Sequence, residues 1–263
     1  MTDETLADAT DVRLIAFDLD DTLAPSKSPM PERMGRALTA LLDEVPVCII
    51  SGGHFGQFSD QVLAHLDATD EQLSRLHLMP TCGTRYLRYE GGTWEQVYNH
   101  DLTDDERSRA LAAVEGEARR LGLWEEQTWG QILEDRGSQI TFSALGQEAP
   151  LAAKKAWDLA GEKKGRLRDA VAELLPDLEV RSGGSTSVDI TRKGVDKAYG
   201  MERLSEQTGI DVSDILFVGD RLDEGGNDYP VIRLGMPVHA VRDWEETADY
   251  VEAWVRRFAS ARA

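Results

Sequence analysis

The stretch Leu14-Ile15-Ala16-Phe17-Asp18-Leu19-Asp20-Asp21-Thr22 decides the fold. Four apolar residues run without a break into two carboxylates spaced two apart. An unbroken apolar run, unlike an alternating one, suits a strand buried on both faces, as in a parallel sheet. Two further runs have the same shape. Val45-Pro46-Val47-Cys48-Ile49-Ile50 leads into Ser51-Gly52-Gly53, and Ile215-Leu216-Phe217-Val218 leads into Gly219-Asp220. Between the runs, apolar residues fall at helical spacing: Met34, Leu38, Leu41 and Leu42, then Val62, Leu63 and Leu66, and near the end Val251, Trp254, Val255 and Phe258. Strands alternating with helices predict an α/β fold with a doubly wound, Rossmann-like parallel sheet. Ligands of such sheets sit beyond the carboxyl ends of the strands. All three runs put their polar residues there.

The middle of the chain reads differently. From about 83 to 191 the order is strand, strand, helix, strand, strand, helix, strand, strand. Residues 86–89 and 93–97 predict a hairpin across Gly91-Gly92, and helices are expected over 104–121 and 151–175. Strands are expected at 131–134, 140–143, 178–181 and 187–191. This α+β pattern predicts an inserted domain, 83–191, within a core made of 1–82 and 192–263. The joins fall at short hinges near 80–83 and 192–194.

Composition excludes several classes. Acidic residues outnumber basic ones 48 to 29 in the 263-residue chain, a formal charge of −19. A surface that negative repels nucleic acid and anionic membranes, so an anionic substrate needs a local cluster of positive charge. The opening stretch, 1–12, is polar and acidic and does not read as a signal peptide. No window approaches the roughly 18 apolar residues of a membrane span. Cys48 and Cys82 read as reduced thiols of a cytoplasmic protein. The five histidines have no metal-ligand spacing.

The polar residues after the runs carry chemistry. Asp18 and Asp20, leaving a buried strand, can turn toward one pocket. One carboxylate can attack phosphorus while the other moves the proton of the departing or attacking oxygen. Thr22 can fix the loop through its hydroxyl. The Ser51 hydroxyl and the backbone N–H groups of Gly52 and Gly53 can hold phosphate oxygens. Lys193-Gly194-Val195-Asp196-Lys197 supplies a cation before a helical stretch. Gly219-Asp220-Arg221-Leu222-Asp223-Glu224-Gly225-Gly226-Asn227-Asp228 clusters carboxylates with glycines, which suits a hard cation such as magnesium. An acidic loop, a turn or a surface lysine explains each motif taken singly; the ordered set of four is specific.

That set resembles the haloacid dehalogenase superfamily of phosphotransferases over roughly 13–82 and 192–258. The inserted domain falls where the branch with a large α/β cap carries its own. The resemblance implies Asp18 as nucleophile and Asp20 as general acid/base. It implies that Ser51, Gly52 and Lys197 bind the phosphoryl group. Magnesium would be held by Asp18, the backbone carbonyl of Asp20, and Asp220, with Asp228 supporting or completing the site.

A closer resemblance is to the eukaryotic-type phosphomannomutases. It is carried by Gly225-Gly226-Asn227-Asp228, by Asp18 to Pro25, by Arg136-Gly137, by Ala144 to Gln147 and by Gly183 to Asp189. That family usually has Gly where this chain has Asp21. Its three cap arginines fall on Arg136, Gln147 and Lys154, a further basic contact falls on Lys27, and its sugar-hydroxyl contacts fall on Ser187 and Asp189. Its mutases suggest a homodimer formed through the cap. Gln147 removes a charge and a bidentate fork, a loss of about 1.5–3 kcal/mol in a phosphate contact. Lys154 keeps the charge without the fork. A mutase must hold a second phosphate in the cap and a phosphatase need not. The expected function is therefore a magnesium-dependent phosphohydrolase of a sugar phosphate or similar metabolite, with a hexose phosphate mutase as the alternative.

Overall fold

Strand β1 (Leu14–Phe17) is buried along its whole length. After it come α1 (Glu32–Leu42), β2 (Val47–Ile50), α2 (Phe55–Gln61), β3 (Leu76–Met79), β4 (Arg85–Glu90) and β5 (Thr93–Asn99). Next are α3 (Asp104–Arg120), β6 (Leu133–Asp135), β7 (Gln139–Ser143), α4 (Leu151–Trp157), α5 (Glu162–Leu174), β8 (Leu178–Ser182) and β9 (Ser187–Arg192). The chain ends with α6 (Lys197–Thr208), β10 (Ile215–Gly219), β11 (Val238–Ala240) and α7 (Trp244–Ala261). This computed structural model describes residues 12–183 and 186–261. They form two units. Described residues up to Asn99 and from Val195 onward make the larger, and His100–Gly194 makes the smaller.

The larger unit is built on a seven-stranded sheet of order β11-β10-β1-β2-β3-β4-β5. Strands β11 to β3 are parallel, with Phe17 registered against Ile49 on one side and Val218 on the other. The chain leaves β1 in one direction toward β2 and returns on its other flank as β10, so β1 and β10 meet at a topological switch point. Alternation along the strands splits the core. Ile15, Phe17, Ile49 and Val218 pack with Leu38 and Leu41 of α1 and Trp254 of α7. Leu14, Ala16, Ile50 and Phe217 pack with Met201 and Leu204 of α6. Both faces are covered by helices, as the unbroken apolar runs require.

Two expectations need correction. The sequence pattern places 83–99 in the inserted domain, yet β4 pairs antiparallel with β3 and β5 with β4. The hairpin therefore extends the core sheet. Its first strand buries Tyr86 and Leu87, and the phenol of Tyr86 meets the ring of buried His77 at 2.7 Å. The helix expected over 151–175 is two helices. The Asp158 carboxylate accepts from the N–H groups of Lys163 and Lys164, and Gly161 takes φ 71°. A side-chain acceptor at that place ends one helix and starts the next.

The smaller unit has a four-stranded antiparallel sheet of order β6-β7-β9-β8. One face carries Ile140, Phe142, Val188, Ile190 and Val180. It packs on Ala110, Val114 and Ala118 of α3 and on Leu167 and Val171 of α5. The other face is polar and carries Glu134, Gln139, Thr141, Ser187 and Asp189.

Candidate active site

Asp18 leaves the end of β1 with its N–H donated to the Val218 carbonyl of β10, 3.0 Å away. Lys197 opens α6, whose first turn is fixed by Asp196 accepting from the Tyr199 N–H. The Lys197 ammonium lies 2.6 Å from Asp18 Oδ1 and also contacts Asp228 Oδ1. All three residues are buried. The second oxygen of Asp228 accepts from the Arg221 N–H at 3.0 Å. A Cβ at Gly219 would overlap Asp228, so the glycine after the third apolar run is what lets that carboxylate approach. Asp220, half-buried, accepts from the Thr22 hydroxyl at 3.3 Å.

Carboxylate oxygens of Asp18, Asp220 and Asp228 all lie within 4.8 Å of one another. One buried ammonium does not balance three carboxylates. Burial pushes the Asp18 carboxyl upward, the Lys197 ammonium opposing the rise and the Asp228 charge adding to it. Burial and Asp228 raise Asp220 as well. Burial works against the charge on Lys197, but the two carboxylates outweigh it and the net shift is upward. A hard divalent cation fits this set, because oxygen donors surround an excess of negative charge that it would relieve. Asp228 is already committed to Lys197 and Arg221, which suits orientation more than direct ligation.

Asp21 explains its own departure from the usual glycine. It takes φ 63°, a left-handed conformation that aspartate tolerates, and its Oδ1 accepts from the Ser26 N–H at 3.0 Å. The turn it makes presents Asp20. Asp20 Oδ1 accepts from the Lys27 N–H at 2.7 Å and the Gln61 amide at 3.5 Å, and Oδ2 accepts from the Gln57 amide at 2.8 Å. The Lys27 ammonium, expected on substrate, donates to Gln57 Oε1 at 3.4 Å.

Ser51 sits two residues past Ile49, at the same sheet end as Asp18, and its hydroxyl accepts from the Gly53 N–H at 3.1 Å. A turn that the sequence reading passed over braces this loop. Thr81 and Cys82 take φ 50° and 53°, followed by Gly83 at 82°. Their N–H groups donate to the carbonyls of Gly53 and Ser51, both at 2.9 Å. A Cβ on Gly83 would lie 2.5 Å from the Gly200 Cα of α6. The turn thus links the Ser51 loop to the helix that starts with Lys197. Left-handed residues other than glycine cost on the order of 1 kcal/mol or more each, and no residue pattern in 81–82 announces them.

In the smaller unit, Arg136 pairs with Glu134 at 2.7 Å. The Lys154 ammonium donates to the Gln147 carbonyl at 2.8 Å. Gln147 Nε2 is buried with no partner among the described residues. Asp189 Oδ1 accepts from Thr141 at 2.8 Å and Gln139 at 3.0 Å, and Ser187 lies two residues before it on β9. The structure thus joins Asp18, Lys197, Asp220 and Asp228 in one cluster, brings the Lys27 N–H onto the Asp20 carboxylate, and carries the remaining substrate candidates on the smaller unit. Gln57, Gln61, Glu134, Gln139 and Thr141 carry no sequence signal of their own, because a lone glutamine, threonine or glutamate in an amphipathic segment reads as a solvated face.

Comparison with known proteins gives a consistent setting. A family described as "Eukaryotic phosphomannomutase" matches residues 122–256. A phosphomannomutase of Encephalitozoon cuniculi is 27% identical over 235 residues, covering 83% of each chain. A phosphomannomutase of Saccharomyces cerevisiae is 25% identical, covering 83% of this chain and 84% of its own. Among solved structures, the IMP-nucleotidase of Plasmodium falciparum superposes with a TM-score of 0.72 at 14% identity, over 95% of this chain and 70% of that one. A haloacid dehalogenase-like hydrolase from Bacteroides thetaiotaomicron gives 0.63 at 15% identity, over 92% and 99%. At those identities the structures speak for the fold alone.

Proposed function

The chain belongs to the eukaryotic phosphomannomutase family, and on that premise we propose that it is a magnesium-dependent phosphohydrolase acting on a phosphorylated sugar or similar small metabolite. The core cluster supports phosphoryl transfer. An Asp18 oxygen attacks phosphorus, and the bond from phosphorus to the sugar oxygen breaks. Asp20 gives that oxygen its proton. In the second half, Asp20 takes a proton from water, whose oxygen attacks the aspartyl-phosphate and frees phosphate and Asp18. Lys197, held charged between Asp18 and Asp228, offsets the charge of the transferring group. Asp18, Asp220 and the Asp20 carbonyl would hold magnesium, with Asp228 orienting Lys197. When bound, the ion would draw negative charge off the phosphoryl oxygens. Ser51 and Gly52 contribute a hydroxyl and an N–H to the phosphate, and Lys27, Arg136, Gln147, Lys154, Ser187 and Asp189 are assigned to the rest of the substrate.

The observation that carries hydrolysis over mutation is the state of the second and third cap positions. Gln147 is neutral, and the Lys154 ammonium is bound to the Gln147 carbonyl. That pair is poorly furnished to grip a second phosphate. The mutase reading has its own support in the family and in relatives named phosphomannomutase. The chain is to be incubated with magnesium, a hexose 1-phosphate and a trace of hexose bisphosphate. Free phosphate supports the hydrolase; isomer without phosphate release supports the mutase and overturns the hydrolase.

A further inference from the structure

We propose that Gln57 is the positioning residue for Asp20, fixing the carboxylate that moves the proton; the inference builds on the phosphoryl-transfer reading. Gln57 lies on the first turn of α2 and is 9% exposed. Its amide stands between two groups. On one side is the Lys27 ammonium, which only donates, so it must meet the amide oxygen, 3.4 Å away. The amide nitrogen is thereby turned to the other side, where it donates to Asp20 Oδ2 at 2.8 Å. The charge on Lys27 sets the orientation of Gln57, and Gln57 sets the place of Asp20.

Three neighbours support the same geometry. Gln61, one helical turn on, reaches Asp20 Oδ1 at 3.5 Å and anchors itself on the Ser28 carbonyl at 2.9 Å. The Lys27 N–H holds Oδ1 at 2.7 Å, in a left-handed turn with φ 56°. Gly53 leaves the space: a Cβ there would overlap the Gln57 amide. Gly53 is outside the left-handed range, so an alanine fits its backbone and its cost falls on the mobile end of Gln57. The second glycine of Ser51-Gly52-Gly53 therefore has a role apart from the phosphate, which is to admit Gln57.

A residue that places a proton donor matters in proportion to the leaving group's need for a proton. A sugar alkoxide needs one and p-nitrophenolate does not. Gln57→Met removes both polar atoms at similar volume, and Gly53→Ala displaces the amide while keeping it. The full chain with magnesium is to be assayed on a hexose monophosphate and, for the first turnover, on p-nitrophenyl phosphate. Both variants are expected to lower kcat on the sugar phosphate ten-fold or more with KM within three-fold. First-turnover release of p-nitrophenolate is expected to change less than three-fold. Gln57→Glu, which sets an acceptor against Asp20, is expected to lose at least as much as Gln57→Met. Equal losses on the two substrates, a change in KM alone, or no change overturns the inference while leaving the parent's activity as support for phosphoryl transfer. A parent chain that releases nothing from either substrate overturns both.

Discussion

The Lys197 ammonium lies 2.6 Å from the Asp18 carboxylate, and neither side chain has more than 5% of its surface exposed. Asp228 closes the other side of the same ammonium. Removing one member of such a group leaves a buried charge without compensation, at a cost of about 3–5 kcal/mol. Lys197→Met is therefore expected to lose at least a thousand-fold in kcat and to be destabilised by that order in magnesium-free buffer. Urea unfolding of parent and variant checks the second part; equal midpoints would refute it.

Magnesium should stabilise the folded chain, since the carboxylate cluster exists only there. At a hundred times its dissociation constant a ligand contributes about 2.7 kcal/mol. Thermal unfolding with and without magnesium should show an upward shift in the parent. Asp220→Asn, which keeps shape and removes a donor charge, should lose most of it. A shift preserved in that variant would place the cation elsewhere.

His77 predicts an acid-sensitive component of stability. Burial, with the Arg88 charge adding, lowers its pKa to about 3. The unfolded chain takes up that proton near pH 6.5, so this contribution is complete above about pH 6.5 and is lost as the pH falls toward 3. Between pH 7 and pH 5 the loss amounts to about 2 kcal/mol. In His77→Gln the fall in stability over that interval should be smaller by about that amount. Equal falls would contradict it.

The left-handed turn predicts an asymmetry between neighbours. Cys82→Asn, compatible with φ 53°, should change stability by less than about 1 kcal/mol. Gly83→Ala must place a methyl 2.5 Å from the Gly200 Cα at φ 82° and should cost about 2–4 kcal/mol. Denaturant midpoints separate the two, and comparable costs would contradict the packing described.

The sequence is legible where burial is two-sided and illegible where context decides. Leu14 to Phe17 and Ile215 to Val218 announced parallel strands because no polar residue interrupts them, and their ends announced Asp18 and Asp220. The hairpin over 85–99 alternates only loosely, so its strands were visible while its sheet was not: pairing with β3 depends on the Tyr86 and Leu87 contacts, which no local pattern encodes. The helix break at 158–161 turned on one carboxylate accepting two N–H groups, which an amphipathic pattern hides. Asp21 is visible as a departure, but its left-handed turn rests on accepting the Ser26 N–H five residues on, which no local pattern marks. Gln57 was invisible for the same reason, since its meaning lies in Lys27, Gly53 and Asp20, 30, 4 and 37 residues away.

In the proposed reaction Asp18 carries the phosphoryl group. Acid-quenching the chain during turnover of a sugar phosphate with magnesium, followed by peptide mass analysis, tests it most directly. A phosphoryl adduct on Asp18, absent from an Asp18→Asn chain that also fails to release phosphate, is the predicted result. Turnover with the adduct on another residue, or undiminished phosphate release by Asp18→Asn, would contradict it.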